Sequence, residues 1–401
     1  MHHVVRARWV VPIDRPPIDG GWVEIAGDAI VGVHGGRPPA SHLDLGDAAI
    51  LPALVNAHTH LELSWMAGLV PPAASMPAWI RRLMAIRREG PEAQRPPRSE
   101  AGAARDAIAA VRLTGTGLVG DISNTGTTAP LLREAGIGGV VFRELIGFRH
   151  PNPDAAVAAA WDEAHDSLEL AHSVVAHAPY SVSPELFESI VAKRSHAPLA
   201  VHLAESTEEV EFIRTGRGPF RELLESIGVW RDDWSAPACG PVEYLRRLGY
   251  VRPGTLVVHG VHLTDDELQV LKGADAVVVT CPRSNAWVGS GSPPLQRFFG
   301  SGVRLAIGTD SLASAPTLNI FDELAEMHRI APAIAPSKLL QAATIGGAHA
   351  LGRARDHGTI EPGKRAALVA VDVPASTVDV EEWLVSPGEK AVRWVDGRMP
   401  G

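Results

Sequence analysis

Leu54-Val55-Asn56-Ala57-His58-Thr59-His60 joins a short apolar run to a pair of histidines. The run has the length of a strand, and its apolar residues are consecutive rather than alternating, which indicates burial on both faces, as in a parallel sheet covered by helices. Helix-like segments such as Met76–Arg88 and Pro336–Leu351 separate it from seven similar runs: Leu118–Val119, Gly139–Phe142, Ser173–Ala176, Leu199–Val201, Thr255–Val258, Ala276–Val279 and Val303–Ile307. Eight such strands in roughly 300 residues predict an α/β fold, a (β/α)₈ TIM-like barrel.

The two ends of the chain have a different pattern. Short strand-like runs such as Trp22-Val23-Glu24-Ile25 and Ala366–Val371 alternate there with turns rich in Gly and Pro. We therefore expect residues 1–52 and 353–401 to form one composite β-sandwich domain, and residues 53–352 to form the barrel of a metal-dependent hydrolase.

Reactive or polar residues fall in step with the ends of the predicted strands. The carboxyl ends of barrel strands converge on one mouth, where barrel active sites lie. Scattered surface histidines would not be expected to follow strand ends in this way. The residues concerned are His58, His60, Asp121, Glu144, His177, His202, His259, Cys281 and Asp310.

Four of these residues have the types and spacing of metal ligands. In an extended segment His58 and His60 point to the same side, although such a pair can also be two surface histidines. His202 and Asp310 follow later strands and add a third imidazole and a carboxylate. Three nitrogens and one oxygen leave a coordination position for water, as in a catalytic zinc site. Zn²⁺ is the expected ion, with Fe²⁺ and Mn²⁺ left open.

The number of metal ions can be argued from the lysines. A lysine carbamate that bridges two ions is one route to a two-metal centre in such barrels. The chain has only five lysines, and none lies at a strand end: residues 193, 272, 338, 364 and 390. We therefore expect one divalent ion.

Three further polar residues are candidates for catalysis or substrate contact. Glu205 follows His202 by three residues, so it can act as general acid and base without binding the metal, although a carboxylate there can also favour the start of a helix. His259 could orient the attacking water or polarise the leaving group, and His177 could touch the substrate. Both histidines could instead be satisfied core residues.

Composition excludes some classes of partner. The net charge of −9 argues against nucleic acid and against an anionic membrane surface. The two cysteines lie far apart, which fits a reducing compartment, and no apolar stretch is long enough for a signal peptide or a membrane span. We expect a cytoplasmic protein that acts on a small molecule; the sequence leaves open whether it forms a homo-oligomer.

Longer motifs place these residues in a known context. The chain resembles the amidohydrolase superfamily, in its branch of adenosine-derivative and S-adenosylhomocysteine deaminases and chlorohydrolases, at Leu51–His60, His202–Glu205, His259–Leu263, Leu305–Ser311 and Gly358–Val369. The resemblance implies that the metal ligands are His58, His60, His202 and Asp310. It also implies that Glu205 is the acid/base glutamate, that His259 contacts the hydroxide and that Asp310 can take a proton.

One level finer, the chain looks like the aminodeoxyfutalosine deaminases of the alternative menaquinone pathway, at His60–Ser64, Glu211–Pro219 and Thr280–Asn285. Thr280-Cys281-Pro282 stands where S-adenosylhomocysteine deaminases usually have His-Asn-Pro, which counts against their substrate. The implied reaction converts an adenine-type ring to hypoxanthine and releases ammonia.

That substrate would carry a carboxylate, because aminodeoxyfutalosine contains a benzoate, and an arginine is its best partner. Arg283 is the first choice, followed by Arg143 and Arg214, although Arg283 could equally form an ordinary structural salt bridge. Glu62 could meet sugar hydroxyls or support a ligand imidazole. The alternatives are another deaminase of this superfamily, acting on S-adenosylhomocysteine, adenosine, guanine or cytosine, a chlorohydrolase, and a metal-binding barrel without catalysis.

Overall fold

Eight parallel strands form the centre of the computed structural model, which describes residues 2–162, 167 and 169–395. The barrel strands are β8 (Leu54–Thr59), β9 (Thr116–Ser123), β10 (Gly138–Leu145), β11 (Leu170–Ala176), β12 (Ala200–Leu203), β13 (Leu256–His259), β14 (Val277–Thr280) and β15 (Arg304–Ile307). Most of their residues are buried, as consecutive apolar side chains require in a sheet covered on both faces. All eight predicted strands are confirmed.

The barrel consists of two four-stranded sheets, in the orders β11-β10-β9-β8 and β12-β13-β14-β15. At one junction the backbone N–H of His202 donates to the carbonyl of His177, with an N–O distance of 2.9 Å. At the other junction the amides of Thr309 and Asp310 donate to the carbonyl of His58, at 3.0 and 3.1 Å. Both junctions therefore lie at residues predicted to form the site.

A buried tyrosine strengthens the first junction. The hydroxyl of Tyr250 accepts a hydrogen bond from the amide of Ala176 at 2.9 Å and donates one to the carbonyl of Ala200 at 3.0 Å. Because Ala176 lies on β11 and Ala200 on β12, one side chain links the edges of the two sheets.

Helices cover the outside of the barrel and fill its loops. They are α1 (Met76–Glu89), α2 (Glu100–Leu113), α3 (Ala129–Ala135), α4 (Pro153–Asp162), α5 (Pro184–Ala192), α6 (Thr207–Thr215), α7 (Pro219–Ser226), α8 (Pro241–Arg247), α9 (Asp265–Gly273), α10 (Pro282–Val288), α11 (Leu295–Ser301), α12 (Ile320–Ile330), α13 (Pro336–Gln341), α14 (Gly347–Ala350) and α15 (Val380–Val385). Two 3₁₀ segments (Leu61–Met66 and Pro91–Ala93) and a π-helical segment (Ala342–Gly346) complete the set.

The helix predicted over Pro336–Leu351 is thus interrupted by the π-helical segment. This segment packs closely against the barrel, since a Cβ on Gly346 would lie 2.2 Å from the carbonyl oxygen of Leu305. Within the part of the chain that the structure describes, no helix combines the length and apolar character needed to cross a membrane.

The remaining strands come from both ends of the chain. They are β1 (His2–Arg6), β2 (Trp9–Val10), β3 (Ile18–Asp19), β4 (Trp22–Ala26), β5 (Ala29–His34), β6 (Leu43–Asp44), β7 (Ala48–Pro52), β16 (Leu368–Asp372) and β17 (Val392–Trp394). One sheet has the order β5-β4-β1-β6 and the other β17-β16-β7-β2-β3, so the second sheet pairs strands from the two ends.

Apolar side chains of both sheets, including Val5, Ile25, Ile50 and Leu368, form one buried cluster. The fold class, a barrel with a small β-sandwich, is confirmed. The boundaries after residues 52 and 352 stay a prediction, and Met1 and residues 396–401 of the predicted sandwich lie outside the described residues.

Candidate active site

His58 is one of the most deeply buried polar groups of the candidate site. It lies on β8 with 1% of its surface exposed, and neither ring nitrogen has a hydrogen-bond partner. Burial is the main cause of a pKa well below the ordinary value for histidine, so the ring is neutral at physiological pH. Two unsatisfied nitrogens in a dry site are costly unless something binds them, and a neutral imidazole is a good metal ligand.

Other ligand groups surround this ring. Potential ligand atoms of His58, His60 and Asp310 all lie within 4.8 Å of one another, and the same holds for His58, His202 and His259. Oδ1 of Asp310 lies 3.5 Å from Nε2 of His60 and 4.0 Å from Nε2 of His58. The residues therefore fit a divalent ion that prefers nitrogen and oxygen ligands.

Hydrogen bonds fix the orientation of two of these groups. Oδ2 of Asp310 accepts hydrogen bonds from the hydroxyls of Ser284 at 2.5 Å and Ser314 at 3.1 Å, which leaves Oδ1 facing the histidines. Nδ1 of His202 lies 3.0 Å from the carbonyl oxygen of His177, so Nε2 is free to point inward. Such outer contacts set the tautomer and direction of metal ligands.

The charge of Asp310 follows from its neighbours. Burial by itself would raise its pKa, but the nearby rings of His60, His259 and His58 outweigh that effect and lower the pKa to about 2. Asp310 is therefore an ionised carboxylate at neutral pH, as a metal ligand must be.

The backbone is strained at three places around the site. Ala204, His259 and Asp310 have φ angles of 51°, 71° and 59°, in the left-handed region that residues other than glycine rarely adopt. Each such residue costs on the order of 1–3 kcal/mol and persists only where the surroundings hold it. At Ala204 the carboxylate of Glu209 does so by accepting the amides of Ala204 and Glu205, both at 2.9 Å.

Glu205 and His259 lie side by side next to the candidate ligands. Oε2 of Glu205 is 3.6 Å from Nε2 of His259, whose Nδ1 lies 2.7 Å from Oδ1 of Asn285. Burial, followed by the negative charges of Asp310 and Glu209, raises the pKa of Glu205 well above its ordinary value. A carboxyl group with a raised pKa can hold and deliver a proton at neutral pH.

One cavity of about 460 Å³ opens onto these groups. Its polar lining includes His60, His177, His202, Glu205, His259 and Asp310. Its apolar lining comes largely from α1 and α7: Met76, Trp79, Ile80, Leu83, Met84, Phe220, Leu223 and Leu224. A concave, largely apolar pocket with a few convergent polar groups is the usual form of a small-molecule site.

The predicted substrate contacts are distributed differently. His177 lines the cavity; its Nδ1 lies 2.6 Å from the hydroxyl of Ser181, and burial lowers its pKa to about 4. Glu62 is not among the lining residues, because its carboxylate accepts hydrogen bonds from Ser123, Asn124 and Thr125. It therefore supports the loop after β9 rather than a sugar or a ligand imidazole. Arg143 and Arg214 are also absent from the lining.

Arg283, the first choice for a substrate carboxylate, is not in the cavity wall either. Nε donates to Glu323 at 2.8 Å, Nη1 to Thr317 and Asp322, and Nη2 to the carbonyl of Thr317. All three guanidinium nitrogens are thus used, and Glu323 is fully buried. Arg283 therefore lies in an internal ion-pair network, which is the alternative role that the sequence left open for it.

The structure brings to the site several residues that the sequence did not predict. Arg87 and Arg88, near the end of α1, line the cavity, as does Asn124. Glu144 was noted at a strand end but given no role; its Oε1 lies 3.6 Å from Nδ1 of His202, and burial raises its pKa to about 7. Asn285 lay inside a motif already quoted, so that motif was an available signal. No sequence pattern pointed to Arg87.

An eight-stranded parallel barrel whose strand ends hold imidazoles, a carboxylate and a buried acid beside one cavity defines the class of metal-dependent hydrolases. Residues 49–392 match the Amidohydrolase family, and the chain belongs to that family. The predicted enzyme class, a hydrolase acting on carbon–nitrogen bonds, is confirmed.

Relatives and a solved structure extend this comparison. A 5-methylthioadenosine/S-adenosylhomocysteine deaminase of Nitratidesulfovibrio vulgaris is 29% identical over 93% of this chain and 84% of its own length. An aminodeoxyfutalosine deaminase of Deinococcus radiodurans is 33% identical over 76% of this chain and 74% of its own. The crystal structure of an adenosine deaminase from Xanthomonas campestris with bound zinc is 28% identical, covering 95% of this chain and 88% of that one, with a TM-score of 0.79.

Proposed function

We propose that the protein is a metal-dependent deaminase that converts an adenine-type ring to hypoxanthine and releases ammonia. The observation that carries this proposal is the contact between Glu205 and His259, at 3.6 Å, beside the candidate ligands and in the wall of one cavity. A protein that only bound a metal would need neither a buried acid of raised pKa nor a histidine held next to it. The relatives that act on adenosine derivatives support the same reaction.

We assign one divalent ion, best Zn²⁺, to His58, His60, His202 and Asp310. Bound there, the ion supplies Lewis-acid chemistry that lowers the pKa of water and makes a nucleophile at neutral pH. The ligand types and the bound zinc of the Xanthomonas campestris relative support this assignment.

The reaction adds water to C6 of the ring and breaks the bond between C6 and its amino nitrogen. One proton of the water ends on ring N1, the other leaves with ammonia, and the water oxygen becomes the carbonyl of hypoxanthine. Glu205, with its raised pKa, can deliver the proton to N1. Nε2 of His259 orients the water, and the ionised Asp310 can receive a proton.

Aminodeoxyfutalosine is the substrate we propose, which would place the enzyme in menaquinone biosynthesis. It is supported by the 33% identity to the Deinococcus radiodurans deaminase and by the motif around Thr280-Cys281-Pro282. The second candidate is 5-methylthioadenosine or S-adenosylhomocysteine, favoured by a relative that matches a larger share of the chain.

The test is a substrate panel. Purified protein loaded with zinc is mixed with aminodeoxyfutalosine, adenosine, 5-methylthioadenosine, S-adenosylhomocysteine, guanine and cytosine, and both ammonia release and the change in ring absorbance are followed. We expect the highest kcat/KM with aminodeoxyfutalosine. A preference for S-adenosylhomocysteine would reject that substrate, and no ammonia from any compound would reject the deaminase.

Glu205→Gln tests the assigned acid and base. It should retain the metal and lose activity by roughly 10²–10⁴-fold. Glu208→Gln, on the neighbouring helix α6, is the control and should keep wild-type turnover. Near-wild-type activity of Glu205→Gln would refute the role of Glu205.

A further inference from the structure

We infer that Arg87 determines specificity by pairing with an anionic group at the far end of the substrate, and that α1 and α7 enclose a flat apolar arm leading to it. The inference rests on the proposed function and deepens it. It assigns to one cation in the cavity wall the role that sequence reasoning gave to Arg283.

The guanidinium of Arg87 has N–H donors available for a ligand. Nη2 lies 3.0 Å from Oδ1 of Asn124 and 3.7 Å from Oε1 of Glu62. Both contacts use the same nitrogen, and among the described residues no hydrogen bond engages Nη1 or Nε. Arg283, by contrast, uses all three of its nitrogens within the protein. A planar guanidinium with free donors is suited to bidentate pairing with a carboxylate.

Glu62 forms an ion pair with Arg87 but no hydrogen bond to it. Its two oxygens already accept four hydrogen bonds from the backbone and side chains of Ser123, Asn124 and Thr125. At 3.7 Å it makes no hydrogen bond to the guanidinium. The side chain of Arg87 is 42% exposed, so a ligand in the cavity can reach it.

A chain of side-chain contacts connects Arg87 to the candidate metal ligands. Arg87 donates to Asn124, whose Nδ2 donates to Oε2 of Glu144 at 2.8 Å. Oε1 of Glu144 in turn lies 3.6 Å from the ring of His202. The guanidinium is therefore separated from the ligand cluster by two side chains rather than lying within it.

The cavity wall beside Arg87 is apolar and therefore favours a substrate with an apolar arm. Met76, Ile80, Leu83 and Arg87 recur at helical spacing on one face of α1. This face runs for about 16 Å at 1.5 Å per residue, and its single charged member stands at the end. Phe220, Leu223 and Leu224 of α7 also line the cavity. An aromatic carboxylate fits an apolar wall that ends in a cation, whereas the zwitterionic end of an amino acid would bring an ammonium group into an apolar wall beside an arginine.

The test compares aminodeoxyfutalosine with its methyl ester, which lacks the negative charge of the arm and carries one additional methyl group. For Arg87→Met we expect kcat/KM with the acid to fall roughly 10- to 100-fold, mainly through KM, as loss of a charge-assisted pair implies. The kcat/KM of the same variant with the ester should change less than about 3-fold. Arg87→Lys should keep part of the preference for the acid, since lysine keeps the positive charge but cannot form the bidentate pair of a guanidinium. Arg81→Met, exposed on the same helix and outside the cavity lining, is the matched control and should match wild type.

Isothermal titration of both compounds against wild type and Arg87→Met gives a readout that does not need turnover. Equal losses for acid and ester, or a loss of acid preference in Arg88→Met but not in Arg87→Met, would overturn the inference while leaving the deaminase intact. An enzyme that deaminates other adenine nucleosides but binds acid and ester equally would overturn it too. Tight acid-selective binding without ammonia release would instead reject the proposed reaction and keep the role of Arg87.

Discussion

His259 and Asn285 share a buried hydrogen bond in which Nδ1 of the imidazole lies 2.7 Å from Oδ1 of the amide. Burial is the main cause of the lowered pKa of His259, which keeps the ring neutral. Because an amide oxygen only accepts, the proton of the neutral ring is on Nδ1, and Nε2 carries the lone pair that faces Glu205. Asn285 thereby sets the tautomer of the residue that is proposed to orient water.

We predict that Asn285→Ala lowers kcat by roughly 10- to 100-fold, the usual effect of losing a residue that orients a catalytic or metal-site histidine. Asn285→Asp keeps an acceptor for Nδ1 but adds a negative charge, so it should restore part of kcat and move the pH profile by raising the pKa of His259. The measurement is kcat against pH for both variants. If the alanine variant keeps the wild-type profile, Asn285 has no positioning role.

Removing the metal is expected to destabilise the fold. A ligand that binds only the native state adds about 2.7 kcal/mol at a free concentration of one hundred times its Kd, so Tm should fall on chelation and recover with Zn²⁺. His202→Ala should abolish this metal-dependent shift. His349→Ala, which lies at a separate cavity near the start of β15, is the control and should retain it. Metal analysis should give about one ion per chain. Two ions per chain, or a Tm that does not change when chelator is added, would contradict the single-ion site.

Much of the fold could be predicted from the sequence because buried parallel strands have a simple sequence pattern. Each barrel strand is a short apolar run, and the polar residues that follow it must gather at one mouth, so strand ends predicted which residues would meet. The structure brings His58, His60, His202 and Asp310 together there. The left-handed backbone of Ala204 and Asp310 could not be predicted, and neither could their hydrogen-bond partners Glu209 and Ser284, because tertiary packing decides which side chains meet.

Arg283 and Arg87 show that the distance of a residue from a strand end in the sequence does not always predict whether its side chain reaches the cavity. Arg283 follows β14 closely, but Pro282 begins a helix, and the side chain lies against Glu323 on α12 instead of in the mouth. Arg87 lies on α1, far along the chain from any strand end, and reaches the cavity only because of how that helix packs against the barrel. Side-chain direction on a loop or helix depends on tertiary contacts that a linear pattern does not encode.

The ion pair between Arg283 and Glu323 predicts that substitution of Arg283 lowers the stability of the fold and changes catalysis little. Arg283→Met would leave the fully buried Glu323 without its partner, a loss of about 3–5 kcal/mol for a broken buried pair. The double variant Arg283→Met with Glu323→Met should recover most of it, because replacing both charges by apolar groups is often neutral. Urea denaturation gives the stabilities, and KM for an acidic substrate should stay close to wild type. A large rise in KM in the folded single variant would return Arg283 to the substrate site.

Glu209 predicts how stability depends on pH. Burial raises its pKa from 4.5 to about 7, so between these values the native state holds a proton that the unfolded chain has lost. The stability associated with that proton is fully present below about pH 4.5 and is lost as pH rises through 7, with a limiting slope of about 1.4 kcal/mol per pH unit for one group. Glu209→Gln cannot titrate and should lose this part of the slope, although it gives up one of the two hydrogen bonds to Ala204 and Glu205.

The measurement is the free energy of unfolding of the metal-free protein at pH 5, 6, 7 and 8, so that metal binding does not add its own pH dependence. The stability of wild type relative to Glu209→Gln should fall from pH 5 to about pH 7 and level off at higher pH. Glu208→Gln, one residue earlier and partly exposed on the same helix, should run parallel to wild type. Parallel curves for Glu209→Gln as well would mean that Glu209 is ionised throughout. In that case its carboxylate, and not a carboxylic acid, holds the strained backbone of Ala204 beside Glu205.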